Sequence, residues 1–289
     1  MERYLKETKM LNYRAREIVA LVRNRKWNDL DEYDKIGEIY RFVQNEIVLG
    51  YNEFDDLTAT QVLADGYGQC NTKATLLMAL LRAVGIPCRL HGTQVVKGFQ
   101  RSIMPKIMAK LAPPFIVHTW AEVYFGGKWL SLEGVITDKA YIAGLKRMFP
   151  EHKDAFADYA VAVKDFSNLQ IDWEGKDTTV QKEAVAEDYG VFDAPDDFFP
   201  THPQLYKWLK KFIYEKIGRK IMTKNVAKIR RYGEQKMKMY ASCPICGYKL
   251  CKGESGSDVD ILCPRCGKLV RVVITDNRNE YELHTHRRH

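Results

Sequence analysis

The sequence predicts an α+β fold, and three observations carry that prediction. Helical spacing of apolar residues dominates as far as Val84 and gives way to strand-like alternation from Cys88 onward. Gly126-Gly127 separates two alternating stretches, the signature of a β-hairpin. Helices that precede a run of strands, rather than alternating with them, belong to α+β architectures. A length of 289 residues suits about two domains at roughly 150 residues each. With 46% hydrophobic and 28% charged residues, the chain is globular, which excludes a collagen-like or wholly disordered protein.

Each element follows from local signals. Residues 12–27 place Ile18, Leu21 and Val22 on one helical face, and residues 32–48 do the same with Ile36, Ile39, Tyr40, Val43 and Ile47. Gly50 ends the second helix, and Thr58 opens a short helical turn. After the Asp65–Gly68 turn, Cys70–Val84 reads as a helix apolar on most faces, which suits the centre of a core. Gly85-Ile86-Pro87 stops it. Cys88–Val96, His118–Phe125 and Lys128–Glu133 read as strands. Residues 101–112 form an apolar insertion closed by Pro113-Pro114, either a cleft wall or ordinary packing. Residues 139–163 are expected to be mainly helical and 164–200 irregular. The expected organisation is a first domain over 1–170, an irregular strap over 171–202, basic amphipathic helices over 203–240 and a small module over 241–289.

Charge is uneven. Net charge is +8, yet residues 1–200 carry 25 basic and 29 acidic side chains, while residues 201–240 carry 12 and 2. The positive excess is therefore local. The N-terminal stretch is charged throughout and no apolar run approaches the ~20 residues of a membrane span, so the cytoplasm is the expected compartment. Seven cysteines, an odd number, argue against a disulfide framework in such a chain.

Cys70 follows Gly68 and opens a helix. The positive end of a helix macrodipole favours thiolate, and its unpaired N–H groups can receive an oxyanion. A nucleophilic cysteine also needs a base and the base needs an orienting acceptor. His118, on one strand of the hairpin, and Glu133, at the end of the other, are the candidates. Asp138 is a rival acid, and Tyr67 and Gln69 are candidate oxyanion donors. A lone cysteine at a helix start is more often structural, so the surrounding pattern must decide.

That pattern is GYGQCNTKATLLMALLRAVGIPCRLHG followed by HTWAEVYFGGKWLSLEG. It resembles the core of the transglutaminase-like superfamily through Gly68-Gln69-Cys70, Leu81-Arg82, Gly85-Ile86-Pro87, Arg89, His118, Trp120, Glu122, Val123, Trp129 and Glu133. The resemblance covers roughly residues 15–140. It implies a papain-like fold and a Cys-His-acid triad of Cys70, His118 and Glu133, with Glu133 standing where the family usually has aspartate. It further implies acyl transfer through a Cys70 thioester on amide bonds of peptides or proteins, with hydrolysis favoured over cross-linking. It does not point to calcium. The alternatives are a non-catalytic interaction scaffold on the same fold and a nucleic-acid-associated protein.

Cys243-Pro-Ile-Cys246-Gly and Cys263-Pro-Arg-Cys266-Gly are two knuckles separated by 16 residues. The pattern resembles a zinc ribbon, and four thiolates suit a tetrahedral ion. Zn2+ is the expected, structural metal, with iron the rival for a four-sulfur site. Leu269–Ile274 and Tyr281–His284 read as ribbon strands around an Asp276-Asn277 turn, and Cys251 is a spare thiol. A protein partner could dock on this module. The segment 205–231 places Leu205, Trp208, Leu209, Phe212, Ile213, Ile217, Ile221 and Met222 near helical spacing, with Gly218 a candidate bend. Packing on the core, an anionic membrane surface and nucleic-acid contact are its three readings.

Overall fold

The structure is a computed structural model that describes residues 1–203, 214–235, 238–275 and 279–283. Two compact units divide the chain, Met1–Gly233 and Glu234–His289.

In the first unit the helices α1 (Arg16–Arg25), α2 (Glu32–Asn45), α3 (Ala59–Asp65) and α4 (Cys70–Ala83) precede the sheet. Asp31 caps α2 by accepting from the Asp34 N–H at 2.9 Å. Thr58 and Gln61 form a capping box on α3. Short strands β1 (Val48–Leu49) and β2 (Tyr67–Gly68) pair in parallel and bring the chain on either side of α3 together. Every residue of α4 from Cys70 to Arg82 is buried, the polar ones included, as suits a helix expected to be apolar on most faces and central to the core. The terminal nitrogens of the buried Arg82 guanidinium donate to carbonyls: Lys6 O, Cys88 O at 2.9 Å and Asp193 O.

The strands β3 (Cys88–Val96), β4 (Phe115–Phe125), β5 (Lys128–Ser131) and β8 (Val185–Phe192) form an antiparallel sheet in the order β5-β4-β3-β8. The mixture of helices and antiparallel sheet is the expected α+β class. Two expectations fail. Residues 139–163 contain one helix, α6 (Lys139–Met148), and then a hairpin of β6 (Phe156–Asp158) and β7 (Val161–Val163). Its turn puts Tyr159 and Ala160 at φ 51° and 59°, without the glycine or asparagine that usually announces such a turn. Residues 164–200 are not irregular throughout, because β8 supplies the edge strand. No residue of β8 is fully buried, so its composition shows no alternation.

The insertion folds as α5 (Lys106–Leu111). α7 (Pro195–Phe198) is one turn, and after a wider turn at Tyr214–Gly218 the chain continues as α8 (Arg219–Glu234). Residues 204–213 of the expected basic helices lie outside the described residues. The described part buries Met222, Val226 and Ile229, which is the packing alternative, while Lys220, Lys224 and Lys228 stay exposed. α8 meets α6 at two glycines. A Cβ at Gly144 would lie 2.1 Å from Ile229 O, and one at Gly233 would lie 1.8 Å from Ala140 O. Gly144→Val is therefore expected to destabilise the first unit by about 1–3 kcal/mol, seen as a melting temperature several degrees lower. An unchanged melting curve would refute this contact.

The second unit holds β9 (Lys238–Ser242) paired with β10 (Lys249–Glu254), and a three-stranded sheet of β11 (Asp258–Leu262), β12 (Leu269–Ile274) and β13 (Asn279–Leu283). Its buried core is Ala241, Cys243, Cys263, Val270, Val272 and Ile274. The expected Asp276-Asn277 turn and His284 lie outside the described residues.

Candidate active site and four-cysteine cluster

Cys70 is the first residue of α4, and a second segment clamps its turn. The Gln69 side chain accepts from the Asn52 N–H at 2.7 Å and donates to Asp55 at 3.0 Å. Thr72 donates to Asn52 Oδ1 at 2.6 Å, and Asn52 in turn donates to Asp65 at 2.7 Å. Burial raises the Asp55 pKa, partly offset by hydrogen bonds from Asn71 and Gln69. Gln69, a candidate oxyanion donor, is thus tied to Asp55. Tyr67, the other, packs against Gly50.

Asn71 sets the register between helix and strand. Its Nδ2 donates to Val117 O at 3.2 Å, and its Oδ1 accepts from Thr119 at 3.0 Å and from the Cys70 thiol at 3.5 Å. One amide therefore holds both neighbours of His118 and the sulfur. His118 is fully buried, and its Nε2 lies 2.9 Å from Glu133 Oε1. The other Glu133 oxygen accepts from the Val180 N–H at 2.9 Å. Nδ1 of His118 makes no hydrogen bond of ordinary geometry within the fold, which leaves that side of the ring to the Cys70 sulfur. Burial opposes the imidazolium, but Cys70 and then Glu133 outweigh it and push the His118 pKa up to about 10. The structure thus brings Cys70, His118 and Glu133 together.

Glu133 does not sit on a strand, as expected. β5 ends at Ser131, and Glu133 opens a 3-10 turn, Glu133–Ile136. Thr178 fastens that turn, with Glu133 N–H donating to its carbonyl at 3.2 Å and Gly134 N–H to its hydroxyl at 3.1 Å. Asp138 has another task. It caps α6, accepts from the Leu49 N–H at 3.2 Å and pairs with Arg230 at 2.7 Å. Burial opposes its ionisation, but Arg230 prevails and keeps its pKa low.

Lys73, one turn along α4, escaped the sequence reading. It is fully buried, and its ammonium donates to Gln44 O at 3.2 Å and to Ile136 O at 3.1 Å, inside the turn that carries Glu133. Burial pulls its pKa down to about 7, with Asp138 resisting and Arg230 assisting. The unfolded chain then binds more protons than the folded chain between pH 7 and the usual lysine range. Lys73 therefore adds stability as pH rises from 7 to 9, by up to about 1.4 kcal/mol per pH unit. In denaturant titrations, the stability of the natural protein relative to Lys73→Met is expected to rise over that range. A constant difference would contradict the assignment.

Cys88 is a buried thiol whose Sγ contacts Met78 O at 3.4 Å, and burial raises its pKa. His91 is taken up by Glu122 and Asp188, each at 2.8 Å, and stacks on Trp120. A cleft of about 660 Å³ reaches Cys70 and Asn71. Met104, Met108 and Ala112 of the insertion line it, so that segment is a cleft wall.

In the second unit, all ligand atoms of Cys243, Cys246, Cys263 and Cys266 lie within 4.8 Å of one another. Sulfur separations are 3.6 Å for Cys243–Cys266 and 3.5 Å for Cys246–Cys263. A tetrahedral ion at about 2.3 Å from each sulfur needs separations of about 3.8 Å, so the cluster is geometrically suited to a metal ion. The two knuckles repeat one turn. Gly247 N–H donates to Cys243 O and Gly267 N–H to Cys263 O, each at 2.9 Å, with φ of 72° and 66°. Those left-handed conformations favour glycine. Desolvation opposes ionisation of Cys263, but the N–H groups of Cys266 and Arg265 push its pKa down to about 6. Among the described residues no helix is long and apolar enough to cross a membrane.

Residues 19–134 match the family model of the transglutaminase-like superfamily. Among curated proteins, none matches the chain significantly. Among solved structures, the chain is similar to a Cytophaga hutchinsonii protein described as a proposed cysteine protease, at 16% identity and a TM-score of 0.38. The match covers 68% of this chain and 47% of that one, so the chain spans under half the length of that protein.

Proposed function

With residues 19–134 a transglutaminase-like domain, we propose that the chain is a cysteine-nucleophile enzyme that hydrolyses amide bonds of peptides or proteins. The observation that carries this reading is the His118 imidazole, held by Glu133 at 2.9 Å and facing Cys70 with its free nitrogen. The Cys70 thiolate attacks the amide carbonyl and a C–S bond forms. The tetrahedral oxyanion meets N–H groups at the start of α4. As it collapses, the C–N bond breaks and His118 gives its proton to the departing amine. Water, deprotonated by His118, then attacks the thioester, releasing the acid and restoring the thiol pair. Glu133 keeps the imidazolium oriented throughout and stabilises its charge. The four-cysteine cluster is proposed to hold zinc in a structural role, since its ligand set is closed. A reducing compartment such as the cytoplasm suits a catalytic thiol and four thiolate ligands.

p-Nitrophenyl acetate tests the nucleophile directly. The expected result is a burst of p-nitrophenolate with an acetyl group on the Cys70 peptide, both absent from Cys70→Ala. A burst that persists in Cys70→Ala, or an acetyl group carried on Cys251 instead, overturns the reading.

A further inference from the structure

Four of the nine methionines converge on the cleft that reaches Cys70. They come from three separate parts of the first unit: Met10 from the N-terminal segment, Met104 and Met108 from the insertion and Met222 from α8. Phe199 and Ile116 extend the same apolar lining. Met10, Met108, Met222 and Phe199 are buried, while Met104 is half-buried. The cleft's volume of about 660 Å³ falls within the roughly 300–1,000 Å³ of small-ligand sites.

The carboxylates of the cleft are mostly engaged by the fold. Glu53 pairs with Arg219 at 3.0 Å and Lys216 at 3.3 Å. Asp55 accepts from Gln69 at 3.0 Å, and Asp196 takes the Thr8 hydroxyl and the Met10 N–H, the latter at 3.1 Å. Lys9 and Asp56 complete the charged lining, and the apolar wall is the larger part of what a ligand meets. Methionine is unbranched and polarisable, and it adapts to flexible apolar partners. A wall built from it suits a chain that can take several conformations.

Resting on the catalytic reading above, we propose that the cleft selects amides whose acyl portion carries a long, flexible apolar chain. That chain lies along the methionines while its carbonyl meets Cys70. Each methylene buried in this way favours acylation by roughly fourfold when fully removed from water. The two sources of such a chain are a simple fatty acyl group and an apolar side chain of a peptide.

Two ester series separate them. The first is p-nitrophenyl acetate, butyrate and hexanoate. The second is the p-nitrophenyl esters of N-acetylglycine and N-acetylnorleucine. Rates of Cys70 acylation are normalised to those of glutathione with the same esters, which removes intrinsic reactivity. The expected result is a rise of at least about tenfold from the shortest to the longest member of one series. A rise in the first series assigns the fatty acyl source, and a rise in the second assigns the peptide side chain. Met104→Gln, at the half-buried position, is expected to cut that ratio at least threefold. Flat or falling normalised rates in both series, with Cys70 still acylated, overturn the proposal and leave the catalytic reading standing. Failure of every ester to acylate Cys70, while glutathione reacts, removes both.

Discussion

Replacing His118 by alanine is expected to slow acylation of Cys70 by about 10²–10⁴-fold. The imidazole faces the sulfur with the nitrogen opposite the one Glu133 holds, and Cys70 is the largest of the groups that raise its pKa. Removing it takes away both the base beside the Cys70 sulfur and, in the proposed reaction, the donor for the departing amine. Glu133→Gln keeps the length of the side chain and loses its charge. Its expected effect is smaller, and it carries a pH signature. Amide hydrolysis needs the His118 proton, so activity is expected to fall as pH rises through about 10. Because the Glu133 carboxylate helps to raise that value, Glu133→Gln is expected to move the alkaline limb to lower pH. An unshifted limb, or a His118→Ala variant that acylates at the original rate, would sink the triad. Circular dichroism of both variants separates these effects from misfolding.

The second large effect concerns the metal. Among the described residues of the unit Glu234–His289, the core comprises six buried residues, two of them the candidate ligands Cys243 and Cys263. Such a core is too small to outweigh the chain entropy of the module. Metal binding in comparable modules is worth roughly 10–16 kcal/mol at neutral pH, and here it is expected to act as folding energy. Stripping the ion with a chelator, or Cys263→Ser, is expected to unfold this unit while Cys70 reactivity in the first unit persists. Elemental analysis is expected to return one zinc per chain. Freshly purified protein without metal, or a unit that resists proteolysis equally with and without chelator, would overturn the assignment. Iron in place of zinc would correct the metal and keep the site.

Much of this was readable in the residues. The helix that opens with Cys70 announced itself because α4 is buried on all sides and its composition is apolar on most faces. The two knuckles were equally plain, because metal ligation demands four cysteines at short fixed spacing. Other parts left no local trace. β8 is an edge strand with no fully buried residue, and the β6–β7 turn uses Tyr159 and Ala160 at positive φ. Asn71 and Lys73 looked like ordinary polar positions of a helix, yet both are buried and hold distant backbone groups.

The apolar helix behind Cys70, the Gly126-Gly127 hairpin turn and the paired C-P-x-C-G turns are properties of short segments. Each is dictated by local geometry or by ligand chemistry, so the order of residues suffices to recognise them. The offset that lets Glu133 reach His118, the Asn71 amide that aligns helix with strand and the methionine wall of the cleft depend on groups far apart in the chain. Their partners meet only when the first unit closes its core, and the cost of burying an unpaired polar group then decides which contacts survive.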